Sequence, residues 1–199
     1  GTLLVMSGDE IHMDYYSVLG PIDPQYQSET GDHVPGMGYL AKFQELADKV
    51  NGVPDGEEHK VRAELALLVK KFDMAKLFHI EQSIDHGKAL LADWLPRYKF
   101  KDWAETETGK RPVTDDDRKT RAEQIADVLG DARRWHSPGR GISIRELASD
   151  EIKLKISNFG DDAKINAVIR HYHGLFTDYL QRRGNRAAIH SARGLRRIT

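Results

Sequence analysis

The chain has 199 residues, enough for one domain with a sizeable core and too few for two comfortable ones. Its 30 Lys and Arg against 31 Asp and Glu leave a formal charge of −1, so no bulk field favours nucleic acid or an anionic membrane. The absence of cysteine excludes disulfides, a thiolate nucleophile and sulfur-bound zinc, and no apolar run approaches the roughly 20 residues that cross a bilayer.

In chain order, Leu3, Leu4, Val5 and Met6 ahead of Ser7 and Gly8 predict the tail of a buried helix. The chain opens on this apolar segment without Met or a polar lead-in, so it is expected to begin inside a domain. Ile11, Met13 and Tyr15 alternate with His12, Asp14 and Tyr16, and Val18 and Leu19 follow, which is strand spacing. A buried helix running into a strand predicts an α/β fold with parallel strands. Residues 20–38 hold Pro21, Pro24 and Pro35 with four glycines and few apolar residues, and predict a long loop of the kind that carries function. Leu40, Phe43, Leu46, Ala47 and Val50 predict a helix from Tyr39 to about Val50, ended by "NGVPDG".

The longest periodic stretch runs from Glu57 to Leu95 and predicts one long helix, or two with a kink near Gly87. Thr114 as N-cap, acids in the first turn and Gly130 after the last turn predict the next helix. A loop, a helical turn at Ile144–Ala148 and a strand from Ile152 to Ile156 follow. Ile165, Val168, Ile169, Tyr172, Leu175 and Phe176 then lie on one stripe of an amphipathic helix. Six arginines between Arg182 and Arg197 predict a solvated basic tail; few aromatic residues interleave with them, so stacking on bases is not expected.

Two positions draw chemical attention. In "GPIDPQ", Asp23 stands between two prolines, which restrict both Ile22 and Asp23 and so aim the carboxylate; a turn acid is the plain alternative. In "WHSPGRGIS", His136 follows an apolar anchor, Trp135, on a glycine-rich loop whose backbone can pass close to a substrate. A carboxylate accepting from one ring nitrogen would set the tautomer and leave the other as a base. The nearest serine, Ser7, reads as a helix end rather than a nucleophile elbow. Of nine histidines only His171 and His173 are close, and on a helix an i, i+2 pair points to different sides, so no metal is expected. No phosphate loop, dinucleotide glycine pattern or HExxH is present, and no cofactor is expected.

The first 25 residues, "GTLLVMSGDEIHMDYYSVLGPIDPQ", closely resemble the segment after the active serine in the serine dehydrogenase proteinase family, the SDH-family Clp-fold serine proteinases. These are relatives of the Clp protease proteolytic subunit and of signal peptide peptidase A within the crotonase-like superfamily. The family pattern runs from Ser-Ala-Gly or Ser-Gly-Gly into Thr-Leu-hydrophobic, through small-Asp-Glu-Ile-hydrophobic-Met-Asp, to Leu-Gly-Pro-hydrophobic-Asp-Pro-Gln. The likeness is specific over residues 1–25, moderate to about residue 156 and weak beyond.

The resemblance implies an α/β Clp/crotonase-like fold, parallel strands wrapped by helices, with the N-terminal half missing and a helix-rich C-terminal part. Residues 1–157 would be the C-terminal part of the peptidase domain, and 158–199 a helical extension and basic tail. It further implies a Ser, Asp, His triad for peptide-bond hydrolysis. The serine would stand one or two residues before Gly1, Asp23 matches the acid, and His136 stands for the histidine of a "WTHDYPI"-like segment from which "WHSPGRGISI" departs. The implied partners are a peptide or protein substrate and further copies of the chain, with no nucleic acid and no cofactor. The implied location is cytoplasmic, with membrane contact only through the missing N-terminal part. The alternatives are a catalytically inactive Clp-like peptide-binding scaffold, a crotonase-type acyl-CoA enzyme, against which "LGPIDPQ" argues, and a serine–lysine dyad drawing on Lys49, Lys60 or Lys70.

Overall fold

The computed structural model describes residues 1–28, 31–54, 56–131, 133–135, 141–185 and 187–198. It is a mixed helix and strand structure, 54% helical with small sheets, so helices carry the packing and short strands tie segments together. In chain order the elements are α1 (Thr2–Met6), β1 (His12–Met13), β2 (Val18–Leu19), β3 (Gln25–Gln27), β4 (His33–Pro35), α2 (Gly36–Asn51), α3 (Arg62–Lys71), α4 (Met74–Arg97), α5 (Asp115–Leu129), β5 (Ile142–Ser143), α6 (Ile144–Leu147), β6 (Ser157–Asn158), α7 (Ala163–Arg183), β7 (Ala187–Ser191) and β8 (Gly194–Ile198). They fall into two compact units, Gly1–Ile11 with Tyr16–Ile156, and His12–Tyr15 with Ser157–Thr199.

The first unit is centred on α4 and α5, which pack together. The buried positions of α4, Leu77, Ile80, Ile84, Gly87, Leu91 and Leu95, recur every three or four residues and so share one face. Each fully buried leucine or isoleucine contributes about 1.5–3 kcal/mol through the apolar surface removed from water. Alpha-5 answers with Ala122, Ile125, Ala126 and Leu129. Its start is the predicted one: the Thr114 hydroxyl accepts from Asp117 N (3.2 Å), and the Asp117 carboxylate accepts from Thr114 N (2.9 Å). Arg111 forks onto the same carboxylate at 2.7 and 2.6 Å, and this guanidinium, with the Thr114 bonds, holds the Asp117 carboxyl far below the usual carboxylate range.

Several elements differ from the sequence expectation. The long helix breaks at Phe72–Asp73, where Asp73 caps α4 by accepting from Ala75 N (2.9 Å) and Lys76 N (3.3 Å). Gly87, the expected kink, lies inside α4 for another reason. A Cβ there would stand 2.5 Å from Ile22 Cγ2, so the glycine is a notch in which Ile22 packs. The loop over 20–38 contains the hairpin β3–β4, and α2 starts at Gly36 rather than Tyr39. Gly36 N donates to Pro24 O (2.8 Å), an approach so close that a Cβ would lie 2.8 Å from the same oxygen.

The strand expected over 152–156 does not form. Ile152 N and Lys153 N both donate to Ser149 O, and Leu154 N donates to Leu147 O, so these donors close the turn after α6. Ile152 and Leu154 are nonetheless buried, and the strand falls instead on β6. The strand expected over residues 11–19 divides into β1 and β2, which take different partners: β2 pairs antiparallel with β5, and β1 pairs parallel with β6. Among the described residues this two-residue pair is the parallel pairing present; the other three sheets are antiparallel.

The second unit holds β1, β6, α7 and the hairpin β7–β8. Asp162 caps α7, accepting from Lys164 N (2.9 Å) and Ile165 N (3.1 Å), and Arg170 of α7 pairs with the buried Asp14 carboxylate. No residue of α7 is buried. Where a solvated tail was expected, Ala187–Ser191 pairs with Gly194–Ile198, and His190 stacks beside Tyr172 and Phe176. No described helix is long and apolar enough to cross a membrane.

Two expectations follow from these contacts. Gly87→Ala lowers the unfolding free energy by about 1–3 kcal/mol, the usual cost of overpacking, and in an Ile22→Ala background the same change costs measurably less, as read from denaturant midpoints. The low Asp117 pKa gives a stabilising contribution that is complete above the ordinary carboxylate range and is lost as pH falls from that range down through the depressed folded value, so Asp117→Asn flattens the acid limb of the stability–pH curve.

Candidate active site

Thr2 is buried at the first position of α1, a helix whose N-terminus has no side-chain cap. Its hydroxyl reaches 18 residues ahead instead. It donates to Gly20 O (2.6 Å) and accepts from Gly20 N (3.1 Å), a two-way clasp between the start of the chain and the segment leading to Asp23.

Two residues further on, Ile22 N donates to Leu129 O (2.8 Å), the last residue of α5. Trp135 Nε1 donates to Val128 O (2.7 Å), so the indole is anchored at the same end of α5. Beyond residue 140 the chain returns to the same region, with Ile142 opposite Leu19 and Ser143 opposite Val18. Both flanks of residues 136–140 are therefore tied close to the chain that precedes Asp23. His136 itself lies outside the described residues.

The Asp23 carboxylate is half-buried, and its Oδ1 accepts from Met37 N (2.9 Å). The residue that leads into α2 is Pro35, which offers no capping side chain, so an acid 14 residues before Met37 supplies the acceptor for the helix start. Burial pushes the Asp23 carboxyl up from its ordinary value, against the opposing pull of the Met37 and Gly36 N–H groups. Both neighbours in "DP" grip the same helix end, Asp23 through its side chain and Pro24 through its carbonyl on Gly36 N. A carboxylate has lone pairs for several donors, so capping α2 leaves capacity for an imidazole N–H.

The other candidates are placed less suggestively. Ser7 Oγ donates to Leu4 O (2.8 Å) at the end of α1, the helix-end role read from the sequence. Lys49 pairs with Glu45 at 3.0 Å and Lys60 with Glu57 at 2.6 Å, both on exposed surface, and Lys70 is in the last turn of α3. Among the described residues no three His, Asp or Glu side chains are grouped as a metal site. Sequence reasoning missed the role of Thr2, whose only signal was a lone hydroxyl opening an apolar helix, and the Trp135–Val128 bond, which depends on distant parts of the chain meeting. It also missed Lys99, whose ammonium pKa is lowered, chiefly by burial.

No family model, curated protein or solved structure matches the chain.

Thr2→Val preserves shape and removes both bonds to Gly20, leaving a part-buried N–H and C=O unpaired; the expected loss is about 1–3 kcal/mol, with Thr2→Ser recovering most of it in thermal or denaturant melts. At Asp23 the sign of the pKa shift sets the outcome. A carboxyl raised on folding stabilises below its unfolded pKa and loses that contribution as pH rises through the folded one, so ionised Asp23 is a burden at neutral pH. Asp23→Asn, which keeps an acceptor for Met37 N, is therefore as stable as the native chain or more so at pH 7, whereas Asp23→Ala loses the cap and about 1 kcal/mol.

Proposed function

We propose that this chain is the C-terminal part of a Clp/crotonase-like serine peptidase, in which Asp23 and His136 complete a triad with a serine preceding Gly1. The observation that carries the reading is convergence. Three stretches that the resemblance marks as bearing the triad are the start of the chain, residues 20–23 and the flanks of residues 136–140. Their described residues are joined by the Thr2–Gly20 clasp, the Ile22–Leu129 bond, the Trp135–Val128 bond and the β2–β5 pairing. Such an arrangement is what a triad assembled from distant sequence positions requires.

In this reading the serine attacks the peptide carbonyl, and His136 takes the hydroxyl proton and returns it to the leaving amine. Asp23 accepts from the far ring N–H, sets the tautomer and stabilises the imidazolium. The N-terminus of α2 keeps the carboxylate from turning away, because Oδ1 is already held by Met37 N. The substrate class is peptides or proteins, and no cofactor enters the chemistry.

One observation favours a second reading, a peptide-binding scaffold without chemistry: capping α2 is a sufficient structural reason for Asp23. The two readings separate in the longer protein that includes the residues before Gly1. A fluorophosphonate probe labels the peptidase and leaves the scaffold unlabelled. His136→Ala lowers labelling and peptide turnover by roughly 10³-fold or more, and Asp23→Asn does likewise while retaining its stability. Turnover unaffected by both substitutions refutes the triad.

A further inference from the structure

We propose that α7 is a dimerisation helix, packing antiparallel against α7 of a second copy of this chain. The starting point is an apolar stripe that its own unit leaves open. Ile165, Val168, Tyr172 and Leu175 are 49%, 69%, 47% and 58% exposed. The hairpin covers part of the stripe through His190, which stacks on Tyr172 and Phe176; Val168 and Leu175 remain open beside it. A 21-residue helix that buries none of its residues gains little from tertiary packing, which is the main source of helix stability in proteins.

The pattern on the stripe identifies the occupant. Ile165, Val168, Tyr172, Leu175 and Tyr179 follow the alternating three- and four-residue spacing of a helix–helix seam. Counted outward from Tyr172, the apolar stripe reads alike in both directions. Val168 and Phe176 stand four residues away on either side, Ile169 and Leu175 three, and Ile165 and Tyr179 seven. Ten and eleven residues away the charge inverts: Asp162 and Asp161 on one side, Arg182 and Arg183 on the other.

A two-fold axis through Tyr172 therefore lays apolar on apolar along the seam and sets the acidic end of each helix against the basic end of its partner, the self-complementarity an isologous interface demands. Parallel pairing fails the same test, because acid would face acid and arginine would face arginine. Antiparallel helix dipoles add to the preference. The contacts these charges now make are surface ones. Asp161 accepts from Asn158 Nδ2 (2.8 Å), Arg182 donates to Asp178 (2.9 Å), and Arg183 lies 6.0 Å over Tyr179. Exposed pairs of this kind are weak and are readily exchanged for partners across an interface.

The test is sedimentation velocity and light scattering on the 199-residue chain over a rising concentration series. The expected result is a species of twice the 22.6 kDa chain mass, and Val168→Glu with Leu175→Glu converts it to monomer while circular dichroism retains the signal of the first unit's helices. Two charge variants isolate the orientation: Asp161→Arg with Asp162→Asn, which keeps the cap, and Arg182→Glu with Arg183→Glu. Each alone is monomeric under conditions where the native chain dimerises, and an equimolar mixture restores a dimer that sediments as the native one does. A native chain monomeric at every concentration, an oligomer indifferent to the Val168 and Leu175 changes, or a mixture that stays monomeric overturns the proposal. None of these outcomes depends on whether the first unit is a peptidase.

Discussion

Ile22 seated in the notch at Gly87 is the contact from which the rest of the first unit is organised. The side chain is buried against α4 at the one position of that face that offers no Cβ, while its backbone N–H ties to the end of α5. One residue thus joins the two central helices and fixes the path of the chain on either side. Gly20 is close enough to receive the Thr2 hydroxyl, and Asp23 and Pro24 reach the first turn of α2. The flanking prolines matter because they lower the entropy of the unfolded segment that must adopt this path.

Asp23 illustrates how one side chain meets two demands. Helix N-termini attract carboxylates, and the Met37 and Gly36 N–H groups favour the charged form. Burial disfavours it, and burial prevails, so the carboxyl is held in place while its ionisation is made less comfortable. A group in that condition gains from any further donor or positive charge. An imidazole brought beside it would supply one, which is the electrostatic sense of the proposed triad.

The second unit follows a different physical logic. Its strands are short, its hairpin is exposed, and α7 depends for definition on its own caps, on Asp14–Arg170 and on the ring stack with His190. With an apolar stripe left open, the helix is better understood as half of an interface than as a finished element. Among the described arginines, Arg182 and Arg183 close this helix and Arg193, Arg196 and Arg197 belong to the hairpin, where geometry rather than bulk charge decides whom they meet.

Much of the framework was legible in the sequence by itself. The helices α2, α4, α5 and α7 follow from 3.6-residue periodicity, the start of α5 from Thr114 and its acids, and the apolar stripe of α7 from its spacing, because these patterns concern residues within a few turns of one another; that the stripe is left exposed is decided by the structure. The proline pair around Asp23 already announced a constrained carboxylate. What the constraint was for could not be read there. The glycine of α4 reads as a kink but is the notch that Ile22 fills, the segment Ile152–Ile156 reads as a strand but its first N–H groups close the turn after α6, and the lone hydroxyl of Thr2 does not say which distant group it will meet. Each was decided by a partner far away in the chain, and local pattern cannot encode which distant donor, acceptor or side chain will arrive; only the folded packing of α4 and α5 settles that.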